Sequence, residues 1–176
     1  MSVFEYNFEQ YKSLSPDLYR KEKYNLQVEL LKLQEDVIKK KRKIAICFEG
    51  RDTAGKSSTI NFFSEHLIPS NFKYVHLGIP TKKERKNWFE RYEIFLPNKG
   101  QIVLFDRSWY TRALTEPTLG YCSKKQYEEF MIKVNKWEKS LVKKGTELVK
   151  FYFSIDKDQQ KRRINARKNS KLKYWK

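Results

Sequence analysis

Gly50-Arg51-Asp52-Thr53-Ala54-Gly55-Lys56-Ser57 fits the pattern G-x-x-x-x-G-K-[ST], with Ser58 and Thr59 following directly. Gly50 and Gly55 permit backbone angles and close approaches that a Cβ would hinder. Successive backbone N–H groups in such a loop form a concavity for anions, and the start of a following helix adds partial positive charge. Lys56 can reach β- and γ-phosphates as a mobile point charge, and the Ser57 hydroxyl suits Mg²⁺. The chemistry implied is the cradling of a phosphate chain, that is, a P-loop. A chance match in a lysine-rich chain is the competing reading, but the flanks weigh against it. Ile44-Ala45-Ile46-Cys47-Phe48 reads as a strand buried on both faces, and Ser57-Ser58-Thr59 opens a helical pattern through Phe62 and Phe63.

A second chemical element lies downstream. Gln101-Ile102-Val103-Leu104-Phe105-Asp106 is an apolar strand ending in a carboxylate. Beside a P-loop, that position suits a Mg²⁺ ligand. Arg107 and Arg112 follow, five residues apart. Guanidinium groups there suit bidentate binding of phosphate oxygens. The competing reading is an ion pair with Asp106 or Glu116.

These residues need a scaffold, and the rest of the chain supplies its pattern. Met1 to Pro16 reads as an irregular arm whose Phe4, Tyr6, Phe8 and Tyr11 cling to the domain. A helix is expected over Leu18–Lys41, capped by Asp17, with Leu26, Leu30, Leu33 and Val37 as its apolar stripe. Lys73–Leu77 reads as a second strand, and Thr81–Phe95 as one helix with Trp88, Tyr92 and Phe95 on one side. Ser123–Lys144 is a further helix, closed by Gly145, whose apolar face runs through Tyr127, Phe130, Met131, Val134, Trp137 and Leu141. Leu148–Ile155 is a fourth strand. From Asp156 to Lys176 come nine Lys/Arg against two Asp. Asp156 or Asp158 can cap a helix bearing Arg162, Arg163 and Arg167, which would close over a transferring phosphate; a disordered basic tail is the alternative. Strands alternating with helices predict an α/β fold, a parallel sheet with helices on both faces and ligands at the strands' C-terminal ends.

The composition agrees. A chain of 176 residues has the length of one domain. Aromatics at 15% argue against disorder although 34% of residues are charged. The net charge of +17 calls for an anionic partner: nucleic acid, an acidic membrane surface or a polyphosphorylated molecule. Cys47 and Cys122 have no metal-ligand or redox spacing, and His66 and His76 lack partners for zinc. Two free thiols, no secretory signal and no run of about 20 apolar residues predict a soluble cytoplasmic protein away from membranes.

Taken together, FEGRDTAGKSS, PTKKERKNWFERYEIFLPNKG, FDRSWYTRA, GYC, FYFSIDKDQQKRR and LKYWK resemble the second family of polyphosphate kinases, from about Asn25 to the last residue. FDRSWYTR is far more specific than a P-loop alone. The resemblance implies a P-loop kinase fold of the thymidylate-kinase type, a three-layer sandwich with an arginine-rich lid. It divides the chain into an N-terminal arm and helix (1–42), a kinase core (43–155) and a basic lid (156–176). It also implies Mg²⁺-dependent transfer of a phosphoryl group between inorganic polyphosphate and a nucleoside mono- or diphosphate, of adenine or guanine. Nucleic acid drops out as the partner, and assembly as a homo-dimer or tetramer is expected.

By matching position, Asp52 is the family's essential aspartate, and Asp52, Ser57 and Asp106 are the metal ligands. Lys56, Arg107, Arg112 and Arg163 carry the catalytic charge. Gly50, Arg51, Thr53, Ala54, Gly55, Ser57, Ser58, Arg91, Arg162 and Arg167 complete the phosphate and nucleotide contacts. Pro80 and Trp88-Phe89-x-Arg91-Tyr92 match the segment on the nucleotide side. This chain departs from the family's pattern at Ser57-Ser58, where glycine often follows the lysine, and at Thr111, where asparagine is usual. Family members also continue past LKYWK with another helix, a strand and a closing helix. Two further readings stand beside this one: an ATP-dependent nucleoside monophosphate kinase, and a non-catalytic or weakly active P-loop protein that binds polyphosphate or nucleotide.

Overall fold

The computed structural model describes residues 14–172 and Tyr174; the expected aromatic arm over Phe4–Tyr11 lies outside these. Four strands form one sheet in the order β2-β3-β1-β4, with every pairing parallel. They are β1 (Lys43–Gly50), β2 (Phe72–Val75), β3 (Gln101–Asp106) and β4 (Thr146–Phe153). The helices are α1 (Pro16–Lys39), α2 (Lys56–Ser64), α3 (Lys82–Lys86), α4 (Glu90–Glu93), α5 (Thr111–Thr118), α6 (Lys124–Lys143) and α7 (Lys157–Lys168).

The two-residue period of the central strands divides the core. Ala45, Cys47, Val103 and Phe105 point to one face, where Trp88, Tyr92, Trp109, Phe130 and Val134 cover them. Ile44, Ile46, Phe48, Ile102 and Leu104 point to the other, against Val37 of α1 and Ile60 of α2. Burying one such large apolar side chain contributes about 1.5–3 kcal/mol. Burial on both faces is why β1 and β3 read as unbroken apolar runs. β4 differs: it is an edge, and Val149, Phe151 and Tyr152 remain exposed.

Several element expectations are corrected. α1 starts at Pro16, and Ser15, not Asp17, caps it by accepting from Leu18 N. Its buried positions are Gln27, Gln34 and Val37, while Leu26 is exposed. The buried amides are paired: the Gln34 side chain accepts from Ile68 N and donates to Ile68 O, at 2.6 and 3.0 Å. Polar burial with satisfied partners is invisible to an apolar stripe. The single helix expected over Thr81–Phe95 is two short ones, because Asn87 (φ −106°, ψ 60°) leaves helical geometry. That break turns Trp88 into the core, where its Nε1 donates to Trp109 O at 2.9 Å. On α6, Phe130, Val134 and Leu141 are buried as expected, but Met131 is exposed and Glu138 takes a buried place. Asp156 caps α7 through Gln159 N, so the basic segment is helical over Lys157–Lys168.

Candidate active site

The phosphate-type loop leaves β1 at Gly50, whose φ of +136° brings the chain hard against the end of β4. A Cβ there would lie 2.3 Å from Phe153 O. Thr53 (φ 63°) and Gly55 (φ 109°) complete the turn. Gly55 opens α2 without any side-chain cap, so the first amides of that helix remain for the loop's ligand. Lys56 is buried, and its Nζ donates to Gly50 O and Arg51 O at 3.0 and 2.9 Å. Burial, and then the neighbouring Arg107, push the ammonium's pKa down. An arriving phosphate would restore the charge balance that the carbonyls only partly supply.

Parallel pairing of β1 with β3 sets Phe48 level with Asp106. The Asp106 carboxylate is buried, and Ser57 Oγ donates to its Oδ2 at 2.6 Å. Tyr74 Oη donates to the same oxygen at 2.9 Å, and His76 Nδ1 stands 3.9 Å from it. Burial, and then Asp106, push the Tyr74 phenol up to about 12, so it stays a donor at neutral pH.

The chain then turns through Arg107 at φ 68°, a left-handed conformation that costs a non-glycine residue of order 1–3 kcal/mol. Three hydrogen bonds hold it: Arg107 N donates to Phe48 O at 3.1 Å, and Ser108 N and Oγ donate to Glu49 Oε1 at 2.5 and 2.8 Å. Glu49 is buried, which pushes its pKa up against the pull of the Ser108 bonds. The turn sends the Arg107 guanidinium toward Thr115 Oγ1 (3.0 Å) and Asp52 Oδ1 (4.0 Å).

α7 lies across this loop. Gln160 Nε2 donates to Asp52 O (3.3 Å), Arg163 Nη1 to Thr53 O (3.0 Å) and Arg167 Nη1 to Asp52 Oδ2 (3.4 Å). Between loop, β2, β3 and α7 opens a cleft of about 870 Å³. Lys56, Arg107, Arg163 and Arg167 supply its positive charge and Asp52 and Asp106 its negative charge, a setting suited to phosphate oxygens with a hard cation.

Of the residues singled out in the sequence, Asp52, Thr53, Gly55, Lys56, Ser57, Ser58, Asp106, Arg107, Arg163 and Arg167 line this one cleft. Gly50 and Arg51 serve it through their carbonyls, and Ala54 is buried within the loop. Three arginines lie apart from it. Arg162 is exposed on α7. Arg91 is buried, with Nη2 donating to Gly78 O and Nε 3.4 Å from Glu84 Oε1. Arg112 is paired with Glu116 at 3.1 Å, both side chains 2% exposed, and sits over the Trp88 ring at 4.0 Å. Of the two readings of Arg112, the ion pair with Glu116 is the one observed. It borders a separate cavity of about 320 Å³ with Arg85, Trp88 and Phe130. Tyr74, His76 and Glu49 escaped the sequence reading. Tyr74 and His76 alternate on a strand edge, and only the pairing of β2 with β3 reveals what faces them.

Comparison with known proteins adds the family. The model of the family described as Polyphosphate kinase 2 matches residues 13–176. A GDP-polyphosphate phosphotransferase of Pseudomonas aeruginosa is 44% identical over 159 residues, which is 90% of this chain and 44% of that protein. An ADP-polyphosphate phosphotransferase of the same organism is 43% identical, over 93% of this chain and 54% of that protein. A solved structure described as polyphosphate kinase 2 from Pseudomonas aeruginosa PA01 superposes with a TM-score of 0.85 at 30% identity, covering 96% of this chain and 37% of that one. The chain thus spans about half the length of the curated relatives it matches. Its parallel sheet, with helices on both faces, is the P-loop kinase fold of those neighbours. With the match running through the P-loop, the Asp106 strand and α7 alike, this chain belongs to the polyphosphate kinase 2 family.

Proposed function

We propose that the chain transfers a phosphoryl group between inorganic polyphosphate and a nucleoside mono- or diphosphate, with Mg²⁺. The observation that carries this reading is the convergence of Lys56, Ser57, Asp106, Arg107, Arg163 and Arg167 on one cleft. The relatives' names supply the reactants: one acts on GDP and polyphosphate, another on ADP and polyphosphate.

The donor set suits the metal. The Ser57 hydroxyl and the Asp106 carboxylate stand side by side at the rim of a phosphate cradle, Oγ 2.6 Å from Oδ2, and both offer hard oxygens. Mg²⁺ keeps near-octahedral oxygen coordination and commonly takes one or two protein ligands, with phosphate and water for the rest. No group of three or more His, Cys, Asp or Glu converges among the described residues, which fits that economy better than a caged cation site. Asp106 and Ser57 would hold the ion, with Asp52 across the cleft, and the ion would supply neutralisation of phosphate charge.

Phosphoryl transfer is loose and asks the protein mainly for alignment and charge. Lys56 gives up the carbonyls of Gly50 and Arg51 for phosphate oxygens. Arg107 reaches in from the β3 side and Arg163 and Arg167 from α7, so donor and acceptor phosphates are clamped from two directions. The acceptor's terminal oxygen forms the new P–O bond as the bond within the polyphosphate chain breaks, and the shortened chain leaves as the anion. α7 acts as a lid; over the loop it excludes water that would otherwise intercept the phosphoryl group.

The reading extends to setting. Among the described residues no helix is long and apolar enough to cross a membrane, and both cysteines are free. These support action in a reducing compartment, the cytoplasm. The test is incubation with polyphosphate, Mg²⁺ and each of AMP, ADP and GDP, in the absence of ATP. Formation of the next higher nucleotide is expected. If none forms while ATP plus a monophosphate reacts, the donor assignment is wrong.

A further inference from the structure

Tyr74 and His76 are alternate residues of β2 and its extension, and the register sets Val75 beside Phe105. Leu104 and Asp106 therefore share the sheet face of Tyr74 and His76. Tyr74 is level with Leu104, two residues short of the end of β3. Its ring must span two strand rises, about 6.6 Å, to reach the rim. Phenol length meets that need where serine or threonine would fall short, and Oη donates to Asp106 Oδ2 at 2.9 Å. The Ser57 hydroxyl donates to the same oxygen. Among the described residues nothing hydrogen-bonds Asp106 Oδ1.

We propose that Tyr74 is a positioning residue for Asp106: with Ser57 it pins one carboxylate oxygen and so reserves the other for a divalent cation. The inference rests on the phosphoryl-transfer reading above and deepens its account of the metal. A carboxylate on a short side chain has two torsions, and each orientation it visits away from the ligand lowers the fraction of molecules ready to bind. Two donors on Oδ2 remove that freedom. A hydroxyl has one proton and two lone pairs, so Ser57 can serve the cation and still donate to Oδ2. That shared duty loosens its hold on Asp106, whereas Tyr74 is not asked to ligate the cation and its hydroxyl can stay on Oδ2, beside that of Ser57. Tyr74 is 49% exposed, so its ring adds little to the core and its hydroxyl is the part with a task. Loss of a hydrogen bond that orients a metal ligand typically costs 10–100-fold in metal affinity or activity.

Tyr74→Phe removes the hydroxyl and keeps the ring. Mn²⁺ serves as the probe, its free concentration followed by electron paramagnetic resonance with protein and GDP present. The expected result is an affinity for Mn²⁺ about tenfold lower than wild type. The Mg²⁺ concentration for half-maximal turnover should rise by a similar factor. At saturating Mg²⁺, the KM for polyphosphate and the thermal midpoint should match wild type. Unchanged Mn²⁺ affinity would overturn the proposal. So would a loss that appears equally in Mn²⁺ affinity, polyphosphate KM and thermal midpoint, because that pattern means general damage. Should Tyr74→Phe not fold, the hydroxyl is structural and the proposal is wrong. A wild-type chain that takes up no Mn²⁺ with GDP removes the metal reading and this inference together, whereas nucleotide formation without that uptake would spare the reaction class alone.

Discussion

Replacing Gly50 by alanine puts a methyl group 2.3 Å from Phe153 O, a backbone atom that cannot rotate away. The φ of +136° is itself costly for alanine, of order 1–3 kcal/mol. Forcing β4 aside to admit the methyl adds about 1–3 kcal/mol, as overpacked sites do. Gly50→Ala should therefore destabilise the fold by about 2–6 kcal/mol, against a total of about 5–15 kcal/mol for a domain. Gly55→Ala is the matched control. Its φ of 109° carries a comparable conformational cost, but nothing lies within 4 Å of the added atom. It should lose only about 1–3 kcal/mol. Urea unfolding monitored by tryptophan fluorescence reads both, since Trp88 and Trp109 are buried in the core. Equal losses for the two variants, or a Gly50→Ala loss below about 0.5 kcal/mol, would refute the reasoning that the P-loop's first glycine is there to let β4 approach.

Arg112→Met should cost about 3–5 kcal/mol by stranding the buried Glu116, and Arg112→Met with Glu116→Leu should recover most of it. Burial already raises the Glu116 pKa, and Arg112 holds it down, so the single variant's penalty should shrink as pH falls; an unchanged urea midpoint with weakened polyphosphate binding would instead make Arg112 a phosphate ligand. Hydrogen bonds from Lys40 and Arg42 lower the Asp36 pKa, and the two-pronged contact of Arg42 lowers that of Glu147. Carboxylates held low stabilise the fold above their unfolded pKa of about 4–4.5, and that contribution is lost as pH drops through the folded values. The urea midpoint of wild type should fall more steeply below about pH 4.5 than that of Arg42→Ala, and parallel curves would contradict this. Asp52→Asn should loosen α7 by removing the Arg167 contact, speeding tryptic cleavage of that helix by up to about fivefold, the equivalent of about 1 kcal/mol for an exposed pair. An unchanged cleavage rate would mean that the backbone contacts of Gln160 and Arg163 hold α7 by themselves.

What the sequence made legible was contiguous. Gly50 to Ser57 and the run into Asp106 each carry their chemistry within a few residues, and parallel pairing of two apolar strands brings them together. The Asp156 cap sits where a local hydrogen-bonding residue precedes a helical run. Tyr74 was not legible, because its partner is 32 residues away and reached through β2–β3 register. Gln34 was missed for a similar reason: its burial depends on the Ile68 backbone, 34 residues on. Arg112 carries two local signals. Its place next to FDRSWY points to phosphate, and Glu116 nearby offers an ion pair; the contact present on α5 is the buried pair. The break at Asn87 escaped because no proline or glycine marks it, and Trp88, Tyr92 and Phe95 beyond it keep helical spacing.

The most direct measurement is a ³¹P NMR time course of this chain with polyphosphate, Mg²⁺ and GDP or ADP, run beside Lys56→Met. Growth of nucleoside triphosphate signals at the expense of the chain-phosphate resonance, absent in Lys56→Met, is the predicted result. Polyphosphate left intact, or consumed equally by both proteins, would contradict phosphoryl transfer at the P-loop cleft.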